Sequence, residues 1–160
     1  MKTLDRGIAA LAGLCLALAG NAVAATDQRA AGRAHEAPAK LELDHGRRWA
    51  TDAPLRRGMD ALRAAFAGRL AAIHAGTLAP ADYAALGATI EIEVATIVAE
   101  CKLEPKADAV LHVIVAELLA AADVLQGRAP GTPTDGAHRA VITLNDYGRY
   151  FDHPQWRALQ

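Results

Sequence analysis

Two long stretches between residues 81 and 125 repeat apolar side chains at steps of three and four. These positions are Tyr83, Leu86, Ile90, Val94, Ile97 and Cys101 in the first stretch, and Ala107, Leu111, Ile114, Leu118, Ala121 and Leu125 in the second. That spacing places each set on one face of an α-helix. Further apolar residues widen both faces, so we expect each helix to be covered on more than one side. The additional residues are Ile92, Val98, Val110, Val113 and Val115.

Shorter patterns predict one more helix on each side of this pair. Residues 51–54 (Thr-Asp-Ala-Pro) supply an N-cap oxygen and a proline for the first turn, and an apolar stripe then continues to about Ala75. After a loop over residues 127–136, rich in Gly and Pro, a last helix is expected from Ala137 to about Phe151. The sequence therefore predicts an all-α fold, an antiparallel up-down-up-down four-helix bundle over residues 51–160.

Two glycines lie inside the predicted helices, at Gly87 and Gly148. A glycine costs roughly 1 kcal/mol relative to alanine in an exposed helix. We therefore expect each to mark either a tight helix crossing or a bulky neighbour, and we favour the tight crossing.

The N-terminal 25 residues have the pattern of a secretory signal peptide. Lys2 and Arg6 precede an apolar run over residues 7–20, and small residues follow at 22–25. Cleavage near Ala25 would make the protein periplasmic. Residues 26–50 then form a flexible leader and an extended arm, and we expect the arm to pack Leu41, Leu43 and Trp49 against one end of the bundle.

The charge balance narrows the classes of partner. Loss of Lys2, Arg6 and Asp5 with the signal peptide reduces 17 basic and 18 acidic residues to 15 and 17. A near-neutral chain without a basic stripe is a poor candidate for nucleic acid. Charged residues interrupt both central helices, so we expect a soluble protein without membrane insertion once the signal peptide is removed.

In such a bundle, one pole collects most of the reactive side chains. Thiolate, thioether and imidazole ligands suit Cu(I), and a Met–His pair suits the iron of non-covalent haem. The candidate metal ligands are Met59, Cys101, His153, His45 on the arm, and His112 two turns along the third helix; the candidate haem contacts are Met59, His153 and Tyr147. His74 and His138 belong to the opposite pole, which has no soft ligand.

Each candidate also has a purely structural interpretation. Met59 lies on the apolar stripe of the first helix and can simply fill the core. Cys101 can act as a small hydrophobic residue, His112 can bond to Asp108, and His153 can cap the last helix.

A resemblance adds to the haem interpretation. Met59 early in the first helix, with residues 147–153 (Tyr-Gly-Arg-Tyr-Phe-Asp-His) at the close of the last, resembles cytochrome b562. The resemblance covers the helix arrangement and implies haem b held by Met59 and His153. Residues 49–56 and 147–154 are also similar to uncharacterised exported proteobacterial proteins, which imply no activity.

Two functions remain open, and neither is an enzyme. The chain contains no serine, which excludes a serine nucleophile, and a cysteine on a buried stripe is normally inert. The first hypothesis is a periplasmic binding protein that holds copper or haem at one pole. The alternative is a cofactor-free interaction or structural module, which docks a protein partner or forms a homodimer through the arm and the terminal aromatic residues.

Overall fold

The computed structural model describes residues 40–160, and the predicted signal peptide and leader up to residue 39 lie outside this part. The described residues form five helices and one small sheet: β1 (Trp49–Ala50), α1 (Ala53–Ala67), α2 (Leu70–Ala75), α3 (Pro80–Glu100), α4 (Pro105–Leu125), α5 (Pro133–Tyr150) and β2 (Phe151–Asp152). The predicted all-α class is confirmed. Within the same residues, none of the helices combines the length and hydrophobicity that a membrane span requires.

The central pair of helices lies where the apolar repeats predict it. Helices α3 and α4 each have 21 residues and begin with a proline. Proline is well tolerated there because the first backbone N–H groups of a helix have no partner within the helix. Asp52 caps α1 by accepting a hydrogen bond from the N–H of Leu55 at 2.9 Å, and it also accepts one from the N–H of Lys102 at 2.6 Å. One carboxylate thus ties the start of α1 to the turn between α3 and α4.

The predicted first helix is in fact two helices, so that expectation is wrong. Helix α1 ends in a tighter turn, in which the N–H of Arg69 bonds to the carbonyl of Phe66 at 3.0 Å. The break falls at Gly68 and Arg69, and α2 then runs for six residues to Ala75. Gly76 closes α2 with a left-handed φ of 64°, a conformation that glycine adopts without steric cost.

Helix α5 begins four residues earlier than the sequence pattern predicts. Thr132 and Asp135 form a capping box, in which the threonine hydroxyl accepts from the Asp135 N–H and the carboxylate accepts from the Thr132 N–H. Pro133 occupies the first turn rather than the preceding loop. The connection from α4 is correspondingly shorter than expected.

The core lies between the long helices. Helix α3 packs against both α1 and α4, α4 packs against α5, and the short α2 contacts α5. Most of the largest fully buried side chains come from the predicted apolar stripes: Leu55, Met59, Leu62, Phe66, Leu86, Ile90, Ile97, Ile114 and Leu118. Both central helices were expected to be covered on more than one side. This expectation fails at Ile92 and Val98, which are exposed.

The arm pairs with the end of α5, which the sequence did not predict. β1 and β2 are parallel, with Trp49 opposite Phe151 and Ala50 opposite Asp152. Trp49 is only 5% exposed, and its indole N–H donates to the Glu42 carbonyl at 2.7 Å. Leu41 packs partly against the core. Leu43 does not: it is 41% exposed, so its predicted packing is wrong.

The arm therefore offers a matched pair of substitutions. Trp49→Ala should lower the free energy of unfolding by about 3–5 kcal/mol, because it opens a cavity under the arm. Leu43→Ala should change it by less than about 0.5 kcal/mol, as expected for an exposed site. Urea unfolding followed by circular dichroism measures both. Equal effects of the two substitutions would mean that the indole does not hold the arm.

Candidate functional site

His153 is buried between two polar partners. Its Nδ1 lies 3.0 Å from the Tyr147 hydroxyl, and its Nε2 lies 3.3 Å from a carboxylate oxygen of Asp60 on α1. A carboxylate only accepts hydrogen bonds, so Nε2 carries the proton in the neutral ring. Nδ1 is then free to accept from Tyr147. Both ring nitrogens of this predicted ligand therefore have partners within the chain.

The chain direction after α5 explains how His153 reaches Tyr147. The segment turns at residues 153–156, where the Trp156 N–H donates to the His153 carbonyl at 3.1 Å. Tyr147 stacks on Phe151 with ring centroids 5.2 Å apart and meets Trp156 edge-on at 4.9 Å. The aromatic residues at the end of α5 thus form one packed cluster around the imidazole.

Burial controls the titration of this cluster. It lowers the pKa of His153 below its ordinary value, and the Asp60 carboxylate offsets only part of that effect. Burial also raises the pKa of Tyr147, and Asp60 adds to the rise. At neutral pH the pair is therefore an uncharged imidazole and an uncharged phenol.

The two sulfur candidates lie in apolar or half-buried surroundings. Met59 is fully buried in the core. Cys101 follows the last residue of α3, where burial raises its pKa to about 12 and the neighbouring Asp52 carboxylate contributes. The thiolate is the form that binds metal and attacks as a nucleophile. At neutral pH this cysteine is a thiol.

The other two candidate histidines are exposed and bonded within their own segments. His45 lies in the turn over residues 44–47 with a φ of 48° and faces Asp44. On α4, His112 hydrogen bonds through Nδ1 to the carbonyl of Asp108 at 2.8 Å, as its structural interpretation predicts. Among residues 40–160, no group of three or more His, Cys, Asp or Glu side chains is arranged to hold a metal ion. The copper and haem site stays a prediction.

The outward side of α3 is the feature that sequence reasoning missed. We define the α3 face as Ala81, Ala85, Ala88, Ile92, Ala95 and Ala99. All are exposed except the half-buried Ala88, and Ile92 is 64% exposed. The residues recur at steps of seven in two rows, 81–88–95 and 85–92–99, so they line one side of the helix. Val98 is exposed at the edge of the face.

Ion pairs flank the α3 face. Toward α4, Glu91 pairs with Arg128, which also contacts Asp123 at 2.8 Å. Toward α1, Glu100 pairs with Arg57 at 3.0 Å. The face itself carries no charge, so a strip of apolar surface is bordered by charges that are already paired within the chain.

No protein-family model matches this sequence, and no curated protein or solved structure matches it. The geometry of the chain itself must therefore carry any functional argument.

The buried imidazole makes stability depend on pH. Its pKa is lower in the folded than in the unfolded chain, so the unfolded state binds more protons as the pH falls below the ordinary histidine value of about 6.5. Stability should fall below that pH, with a slope of at most about 1.4 kcal/mol per pH unit for one proton. His153→Gln should flatten this dependence.

Urea midpoints measured between pH 7.5 and 5.5 provide the test, with His112→Gln as the control substitution at an exposed histidine. A parent whose stability does not fall over this interval would contradict the buried neutral imidazole, as would a His153→Gln variant with the parental slope.

Proposed function

We propose that this protein is a periplasmic helical binding module that associates with a second copy of itself through the α3 face. In this proposal α1, α3, α4 and α5 form an antiparallel up-down-up-down bundle. The contacts of α3 with α1 and α4, and of α4 with α5, support that arrangement, as does the short connection over residues 101–104. The signal-peptide pattern supports export. Self-association itself requires no cofactor.

The exposed apolar surface of α3 is the observation that carries the proposal. Contiguous apolar patches on a protein surface commonly mark interaction sites. Burial of a large aliphatic side chain such as Ile92 is worth roughly 1.5–3 kcal/mol, and the surrounding alanines add area without losing side-chain entropy. A partner that covers this face therefore gains free energy at little ordering cost.

The regular spacing of the face favours a second copy as the partner. A two-fold interface brings the same patch of both chains together, so a surface must complement itself. Small residues at every seventh position let two identical helices approach closely along their whole length. The large side chain Ile92 can then pack against the alanines of the other copy.

The charges at the two ends of α3 favour antiparallel packing of this helix against its copy. The Arg57–Glu100 pair lies at the C-terminal end of α3, and Asp82 lies in its first turn. An antiparallel second copy sets these two ends side by side, so that Arg57 approaches the acidic start of the opposite helix. Opposite ends of the two helix dipoles also become neighbours.

The size of the face predicts a weak dimer. A helix of 21 residues is about 30 Å long, so a strip about 10 Å wide covers roughly 300 Å² on each copy, less than the roughly 800 Å² per partner of a standard-size interface. We expect a dissociation constant in the micromolar range, equivalent to about 8 kcal/mol.

The geometry gives less support to the copper or haem function. A ligand role for His153 would break its contact with Tyr147 or Asp60, and Cys101 would have to lose a proton from a pKa of about 12. Absorption spectra and metal analysis of the purified protein distinguish the two functions. A Soret band would establish haem and stoichiometric copper would establish the soft-metal site.

The dimer proposal is tested by a charge placed on the face. Ile92→Lys should raise the dissociation constant at least about tenfold, because both copies would bury an unpaired ammonium. Ile142→Lys is the matched control: Ile142 on α5 is 61% exposed but lies outside the α3 face, and its variant should dimerise as the parent does. Sedimentation equilibrium measures the dissociation constants.

Circular dichroism should show parental helicity in both variants. The proposal is wrong if the parent is monomeric at several hundred micromolar, or if the two substitutions weaken association equally.

A further inference from the structure

Two histidines from different helices face each other, and neither belongs to the α3 face. His74 lies in the last turn of α2 and His138 lies in the second turn of α5. Their ring centroids are 6.0 Å apart, and the ring planes are inclined by 41°. The sequence predicts both residues at the pole opposite the soft ligands. In the structure, the contact between α2 and α5 brings the two rings together.

This separation fits two imidazoles that share one metal ion. A metal bonded to a ring nitrogen at about 2.0–2.1 Å lies roughly 3.2 Å from the ring centroid. Two rings on a common ion therefore have centroids up to about 6.4 Å apart, and closer together when the bond angle at the metal is tetrahedral. The observed separation of 6.0 Å lies within that range.

The surroundings leave both rings available to an ion. Within residues 40–160, neither the His74 ring nor the His138 ring has a hydrogen bond or an ion pair, whereas the rings of His45, His112 and His153 lie 3.3–3.9 Å from a carboxylate oxygen of the same chain. His138 is nevertheless close enough to Asp135 to help the Thr132 hydrogen bonds lower the pKa of that carboxyl. His74 is exposed and His138 is half-buried, so an ion can enter from solvent. Asp135, one turn before His138, is held by the Thr132 N–H and hydroxyl at 2.9 and 2.6 Å. Its carboxylate is therefore already engaged in the capping box of α5.

We propose that His74 and His138 form a two-imidazole site for a divalent late transition-metal ion, which fastens α2 to α5. Neutral imidazole suits Zn²⁺, Ni²⁺ and Cu²⁺, and Cu²⁺ has the highest intrinsic affinity in this series. The site differs from the predicted copper and haem pole in its residues, its location and its preference for divalent ions. It also uses none of the residues of the α3 face.

The short helix explains what a bound ion would change. Helix α2 has six residues, and Ile73 is its only buried residue. A helix of this length is not stable by itself and depends on its packing against neighbours. An ion that bridges His74 and His138 adds a second attachment and should stabilise the folded state, because only that state holds the two imidazoles together.

Titration calorimetry of the untagged full-length protein with Ni²⁺ tests the proposal, since Ni²⁺ binds imidazole and does not oxidise Cys101. One ion should bind per chain. His74→Ala and His138→Ala should each weaken binding at least about tenfold, because two linked ligands bind far more tightly than one. The control variants His45→Ala and His112→Ala should bind as the parent does.

Thermal unfolding gives a second readout. Saturating Ni²⁺ should raise the Tm of the parent and of both control variants by about 5 °C, and should raise the Tm of His74→Ala and His138→Ala by clearly less, because each keeps only one of the two ligands. His74→Gln, at an exposed position, provides a variant that keeps the fold. Parental affinity in any variant of His74 or His138 overturns the proposal, and so does an equal loss of affinity in the control variants.

Discussion

The close approach of neighbouring helices is the constraint on which this structure depends, and glycine permits it between α1 and α3, between α3 and α4, and between α4 and α5. A Cβ atom added to Gly58 of α1 would lie 2.6 Å from a side-chain carbon of Ile97, and one added to Gly136 of α5 would lie 2.9 Å from the backbone nitrogen of Leu125. At Gly87 the added atom would lie 3.1 Å from a backbone oxygen of α4 and closer still to a side chain. Packed interiors do not yield easily to such an overlap. The α3 face points outward because α1 and α4 pack against the opposite side of α3.

The sequence predicted the elements that local periodicity determines and missed those that local chemistry determines. The two central helices were recognised because their apolar repeats are long and uninterrupted. The start of α5 was missed because Pro133 was assigned to the loop by composition, although Thr132 and Asp135 are a recognisable capping box. The tight crossing predicted at Gly87 agrees with the structure. At Gly148 the neighbour is instead the Trp156 ring, because the chain folds back after Pro154, and an added Cβ would lie 2.3 Å from that ring. This is the bulky neighbour expected from the sequence as the alternative.

The candidate site was less predictable than the fold, because burial and pairing depend on distant segments. Tyr147 and His153 are six residues apart, yet their hydrogen bond requires the chain to turn after β2, and Asp60 comes from another helix altogether. Ile92 was assigned to a covered stripe because it is apolar. Apolar residues are also common on protein surfaces, so composition alone cannot tell a core position from an interface. Whether a side chain is a metal ligand or has a structural role therefore depends on its partners in the fold rather than on its residue type.

The parallel pairing of β1 with β2 has a mechanical consequence. β1 precedes the first helix and β2 follows the last one, and these two strands run side by side in the same direction. The Thr51 hydroxyl adds a bond to the Asp152 carbonyl at 2.8 Å. A force that pulls on the segments before Trp49 and after Asp152 acts along both strands in opposite senses. The force therefore loads all the hydrogen bonds between the two strands in shear at the same time. The helices between the strands bear tension only after these bonds have broken.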